Sequence, residues 1–279
     1  SSLFYHATAA TPKNTANYAT KISTYLKHVE PWLCDSGMDH VDPYELTEEE
    51  KITIKNNNGN NNWNATMYAA IEFWGNLCKA NGADMFFWDY YQNTTSFFIP
   101  YNVFNTLRRN YGTFAEFEYD YVFSQMMESK QNFARFKEFL ISKLKWNANP
   151  TDIEWEGWYQ EYFEGAYGPG ATKMREYFNK WDAWTTDHIN DYRRDGKYDW
   201  KSQTGTAALA VDMRTWTDKL TVTELEGWIA SIDAAIEELN VNNPKYDTYR
   251  RNIMLEKLTP MYLLMWMHDG YTPVKDENN

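Results

Sequence analysis

The sequence predicts an α/β segment followed by an all-α one. Residues 1–165 read as part of a parallel (β/α) layer or barrel, and residues 166–279 as an α-helical C-terminal domain. Three observations carry this. The run Met85-Phe86-Phe87-Trp88-Asp89-Tyr90-Tyr91 is nearly continuous in apolar and aromatic residues, as a strand covered on both faces should be, and it follows an amphipathic helix. The helix-then-strand pair recurs before residue 125, and that pair is the repeating unit of an α/β layer. After Gly165-Ala166-Tyr167-Gly168-Pro169-Gly170, helical periodicity dominates.

Taken in order, Ser2-Leu3-Phe4-Tyr5-His6 is a short aromatic strand followed by a Thr-Pro loop. Residues 22–30 fit either a second strand or a short helix. Residues 35–64 are polar and turn-rich, with the loop signal Asn56-Asn57-Asn58-Gly59-Asn60-Asn61-Asn62. Residues 66–80 form a helix, because Met67, Ala70, Ile71, Trp74, Leu77 and Cys78 recur three and four apart; Asn81-Gly82 ends it. A helix over 100–111 precedes the strand Glu118-Tyr119-Asp120-Tyr121-Val122-Phe123-Ser124-Gln125. Residues 132–146 carry the stripe Phe133, Phe136, Leu140, Leu144, and Pro150-Thr151-Asp152 opens the next helix. Further helices are expected over 171–192, 207–220, 223–239 and 245–267. Thr223 with Glu226 reads as a capping box, and Pro260 should kink or split the last helix.

Composition excludes several function classes. The net charge of −12 argues against a nucleic-acid binder, which needs a basic surface. No apolar run approaches the roughly 20 residues of a membrane span. Two cysteines, Cys34 and Cys78, allow one bridge at most and no zinc site. Asp39-His40-Val41-Asp42 has metal-ligand residue types but no spaced partner, and the glycine-rich stretch lacks the Lys-Ser/Thr of a phosphate loop, so neither metal nor cofactor is expected. The 18% aromatic content fits a large core, and it also fits sugar contact, since sugar C–H faces stack on rings beside Asn, Asp and Gln.

The candidate site lies at the strand ends, where (β/α) architectures carry their functional side chains. Asp89 ends one strand and can act as acid, base or nucleophile; its apolar neighbours raise its pKa. The plainer alternative is a cap or an arginine partner. Glu128 follows the next strand and completes a carboxylate pair of the kind glycoside hydrolysis uses, unless Lys130 makes it an ordinary surface charge. Trp88, Tyr90 and Tyr91 supply a sugar platform, and Gln125 and His6 hold hydroxyls, although a lone strand-end histidine is more often a satisfied core or rim residue.

A resemblance sharpens this. The segments Phe139-Leu140-Ile141-Ser142-Lys143-Leu144-Lys145-Trp146-Asn147, Asp152-Ile153, Tyr162-Phe163-Glu164-Gly165-Ala166-Tyr167-Gly168 and Met174-Arg175-Glu176-Tyr177-Phe178 resemble, in this order, the family called domain of unknown function 4838 (DUF4838), whose members are α-glucuronidase-like. The resemblance implies a triosephosphate-isomerase-type (TIM-type) barrel followed by a helical region, here only its C-terminal portion. It implies a glycoside hydrolase acting on a polysaccharide or oligosaccharide, uronic-acid-containing ones included, outside a bacterial cell or at its surface. Carbohydrate and the missing N-terminal half of the same protein are the partners it implies. Gln125 stands near where relatives carry an acid, which favours the alternative of a non-catalytic carbohydrate-binding or scaffold protein with a degenerate barrel.

Overall fold

The computed structural model describes residues 4–6, 31–35, 41–56, 62–91, 98–125, 132–191, 197–198, 209–210 and 213–268. The chain is mostly helical around a small parallel sheet. The strands β1 (Phe4–His6), β2 (Trp32–Cys34), β3 (Phe86–Asp89) and β4 (Tyr121–Ser124) lie side by side in chain order. Every pairing is parallel and unshifted: His6 stands beside Cys34, Cys34 beside Trp88, and Trp88 beside Phe123. Parallel crossovers are right-handed, so a sheet wound steadily in one direction receives all its crossovers on one face.

Burial follows that winding. Leu33 and Phe87 are buried, while Trp32, Phe86 and Trp88 are only half-buried and Tyr121 and Phe123 are exposed. The strand over 86–89 is therefore covered on one face, not on both as its continuous apolarity predicted. Its open face is aromatic, which is why the alternation was invisible in hydropathy. On the covered face Phe87 packs against Phe114 of α3 (Phe104–Glu116) with ring centroids 4.4 Å apart. In the helix layer, α2 (Asn62–Asn81) comes close enough to the chain after α3 that a Cβ on Gly75 would meet the Cβ of Phe117 at 2.6 Å.

One helix was missed. Residues 48–56 lie in the polar segment read as loop, yet form α1 (Glu48–Asn56). Thr47 and Glu50 cap it reciprocally, the Thr47 N–H donating to Glu50 at 2.8 Å and the Glu50 N–H to Thr47 Oγ1 at 3.2 Å. After β4 the chain runs through α4 (Ala134–Trp146), α5 (Asp152–Tyr167), a 3-10 turn (Gly168–Gly170) and α6 (Ala171–Asp187). The helix expected over 207–220 is replaced, among the described residues, by a two-residue strand β6 (Leu209–Ala210), paired antiparallel with β5 (Lys197–Tyr198), and a 3-10 turn (Met213–Trp216).

Two long helices close the domain, α7 (Val222–Glu237) and α8 (Tyr246–Met267). The cap of α7 is Thr221 with Glu224, two residues ahead of the expected Thr223–Glu226 pair. Gly170 lets the 3-10 turn lie against α7, where a Cβ would sit 2.6 Å from the Ala235 carbonyl. Helix α8 passes through Pro260 without a break. The carbonyl of Glu256, four residues back and deprived of its helical donor by the proline, accepts instead from Asn132 Nδ2 at 3.3 Å. Neither Cys34 nor Cys78 forms a disulfide among the described residues.

Candidate functional site

The carboxyl ends of β2 and β3 each deliver an aspartate. Asp35 follows Cys34, and its N–H donates to the Trp88 carbonyl at 3.2 Å, extending the ladder by one step and setting Asp35 abreast of Asp89. Neighbouring strands lie about 4.8 Å apart, so two carboxyls leave adjacent backbones at the same level. Both are fully buried, on the face that also holds Leu33 and Phe87. A residue of that position was not expected to matter from sequence; the signal available was the parallel between Trp32-Leu33-Cys34-Asp35 and Phe86-Phe87-Trp88-Asp89, two apolar triplets each opened by an aromatic residue and followed by aspartate.

Tyrosines surround the pair. The Tyr44 hydroxyl donates to Asp35 Oδ2, and the Tyr44 N–H donates to Asn110 Oδ1 at 3.0 Å. The Tyr111 hydroxyl, on α3, donates to Asp89 Oδ2 at 3.1 Å and also lies 3.1 Å from Ser124 Oγ, the residue paired with Asp89 across the ladder. Oδ1 of Asp89 is buried with no hydrogen-bond partner among the described residues. Burial pushes the Asp89 carboxyl up to about 7, against the pull of Ser124, Lys145 and Tyr111. Asp35 is raised well above the usual carboxylate range, first by burial and then by the charge of Asp89.

Two lysines sense this layer. Lys137 on α4 is buried and donates through Nζ to the Tyr91 carbonyl. Desolvation brings its ammonium down to about 8, opposed by Glu138 and Asp89. Lys145 is also lowered by burial and raised by Asp89. The arginines of α3 point elsewhere: Arg108 pairs with Asp152 and Arg109 with Glu50, each at 2.6 Å.

The opposite, open face carries the rings. Trp32 meets Phe86 edge-on at 4.5 Å and Trp88 at 5.5 Å; Trp88 meets Phe123 at 5.4 Å and stacks on Tyr90 at 5.6 Å with the planes 12° apart. Nε1 of Trp88 is a buried donor with no partner among the described residues. The Tyr90 hydroxyl is pushed up to about 12, by burial first and then by Cys34 and Asp35.

The expected site residues are thus divided between two faces. Trp88 and Tyr90 belong to the open aromatic face. Gln125 is half-buried beyond β4, its N–H donating to the Asp89 carbonyl at 2.9 Å. Asp89 sits behind, on the covered face. Tyr91 is fully buried with it, its ring 6.4 Å from that of Tyr111, and so lies in the carboxyl layer, apart from the Trp88–Tyr90 stack. His6 takes the register position beside Cys34 at the sheet edge. The side chain of His6, all of Glu128, and Asp39 with His40 lie outside the described residues. No group of three or more potential metal ligands occurs among the described residues.

The family model for DUF4838, a domain of unknown function, matches residues 7–180. That covers more than half of the 279 residues. The chain belongs to the DUF4838 family. The match takes in β2, β3, β4 and the helices through most of α6, so every described element that builds the carboxyl layer is part of the DUF4838 region. No curated protein and no solved structure matches the chain. No described helix of this DUF4838 member is long and apolar enough to cross a membrane.

Proposed function

We propose that this chain is a glycoside hydrolase-type protein that takes a polysaccharide or oligosaccharide, uronic-acid-containing ones included, at the carboxyl edge of its sheet. The observation that carries the reading is Asp89: a strand-end carboxyl whose proton is held to about 7, at the carboxyl end of the strand whose opposite, open face carries the stacked Trp88–Tyr90 pair. An acid that keeps its proton near neutral pH is what protonation of a leaving-group oxygen requires. The orphaned Trp88 Nε1–H is a donor for a sugar hydroxyl, and Gln125 a second polar partner. The steady one-directional winding supports a TIM-type barrel, whose remaining strands are the partner that the edges at β1 and β4 would accept. Such a substrate points to an extracellular or cell-surface location.

A second reading is a carbohydrate-binding protein without turnover. It is favoured by the complete burial of both aspartates, which face the helix layer and not the open ring face. A library of oligosaccharides and uronides separates the two. Affinity with release of new reducing ends supports the hydrolase; affinity without release supports the binder; no affinity for any sugar overturns both.

A further inference from the structure

The carboxyl that accompanies Asp89 was expected downstream of β4, at Glu128. The register of the sheet supplies a different one. Asp35 and Asp89 stand abreast on adjacent parallel strands, both fully buried, Asp35 accepting from the Tyr44 hydroxyl and Asp89 from the Tyr111 hydroxyl of α3. Two carboxyls that leave neighbouring backbones into a dry layer resist joint ionisation, because their repulsion and the lost hydration act together. The surrounding groups relieve that constraint at Asp89 alone, through cations. From the segment before α1 comes Tyr44; after β3, Tyr91; from α3, Tyr111; all three are hydroxyls, neutral in this layer. From α4 come Lys137, which donates through Nζ to the Tyr91 carbonyl and is raised by the charge of Asp89, and Lys145, whose charge acts on Asp89.

We propose that Asp35 and Asp89 form a buried acid pair that keeps one proton through neutral pH, with Asp35 holding it and Asp89 exchanging. The asymmetry comes from the charges around the two. Asp89 receives the Tyr111 and Ser124 hydroxyls and the field of the Lys145 cation, all of which favour its ionised form; Asp35 accepts from the Tyr44 hydroxyl and from the backbone amides of Tyr90 and of its own residue, while burial and the charge of Asp89 act against its ionisation. Asp35 is therefore a positioning residue that acts through Asp89. Resting on the hydrolase reading, the pair has a further consequence. When Asp89 gives its proton to a leaving-group oxygen, the Asp89 O–H bond breaks and the leaving-group O–H bond forms. The pair then passes from charge 0 to −1 and never reaches −2.

The test is a carboxyl titration of the whole chain labelled with 13C at the aspartate side-chain carbon, with Asp35→Asn and Asp89→Asn used for assignment. The expected result is one carboxyl titrating near pH 7 and a second that keeps its proton after the first has lost it. In Asp89→Asn the Asp35 midpoint should fall by about one pH unit or more, the threshold of real coupling. In Asp35→Asn, which mimics the protonated acid, the Asp89 midpoint should stay near 7. The wild-type titration needs no variant to fold. Two carboxyls ionised below pH 5, or an Asp35 midpoint unmoved by Asp89→Asn, would overturn the pair. Neither outcome depends on sugar turnover, so the pair and the hydrolase reading can fail separately.

Discussion

Asn132 and Glu256 are joined twice: Nδ2 of Asn132 donates to the Glu256 carbonyl and to its Oε2, each at 3.3 Å. The same carboxylate accepts the Phe133 N–H at 2.8 Å and the Tyr167 hydroxyl at 3.2 Å. Phe133 is a non-glycine residue at φ 54°, and it precedes α4, whose free amides attract negative charge. Glu256 thus caps α4 from α8 and ties the end of the α/β segment to the bundle. Glu256→Ala should cost about 2–4 kcal/mol in urea unfolding, since it strands buried donors, whereas Glu256→Gln keeps an acceptor and should cost less. Equal costs for the two would show that the carboxamide cannot serve as the cap.

Stability should fall as pH rises through neutrality. Asp89 and Glu256 are each raised to about 7 by burial, so the fold binds their protons more tightly than the unfolded chain does. Their contribution is complete below the ordinary carboxylate pKa of about 4 and is lost as pH rises through about 7. Glu50, lowered by Arg109, works the other way and loses its contribution only in acid. The expected outcome is a melting temperature several degrees lower at pH 8 than at pH 5.5, with part of the difference removed in Glu256→Gln. A melting temperature that rises over this range would contradict the assignment.

The open ring face should bind sugar through Trp88. Trp88→Ala removes a half-buried ring that stacks on Tyr90 and should weaken sugar affinity about tenfold, about 1.4 kcal/mol, while leaving the far-ultraviolet spectrum unchanged. Calorimetric titration with the best sugar of the library reads this directly. Unchanged affinity would move the sugar away from this face.

Close backbone approach sets a separate test. Gly75→Ala would push a methyl to within 2.6 Å of the Phe117 Cβ, and Gly170→Ala to within 2.6 Å of the Ala235 carbonyl. Each should cost roughly 1–3 kcal/mol, visible as a shifted denaturation midpoint with an unchanged slope. Gly157→Ala, with open space around it, is the control and should be neutral or slightly stabilising.

The elements with strong local signals were legible. The stripes of α2, α4 and α7 follow three- and four-residue spacing, and the Thr151–Glu154 capping box starts α5 as Pro150-Thr151-Asp152 indicated. The misses have physical causes. Helix α1 has a single buried residue, Ile54, so periodicity could not reveal it, although Thr47-Glu48-Glu49-Glu50 carried its cap. The open face of β3 is as aromatic as the covered one, which hid the alternation. Pro260 does not break α8, because the orphaned carbonyl finds Asn132 through a contact between residues 124 apart in the chain. Asp89 stood out as a strand-end carboxyl because its strand is a long apolar run; Asp35 follows a strand of only three residues, and the likeness of 32–35 to 86–89 gains meaning only once strands about fifty residues apart are paired, which hydropathy does not encode.

The most direct measurement is the initial rate of glycosidic cleavage by wild type and Asp89→Asn on the oligosaccharide that binds best, with affinity measured in parallel. The account predicts that Asp89→Asn binds within a few-fold of wild type and loses about 100-fold or more in kcat, as removal of a general acid does. Equal rates for the two proteins, or sugar bound with no cleavage by wild type, would contradict a catalytic role for Asp89.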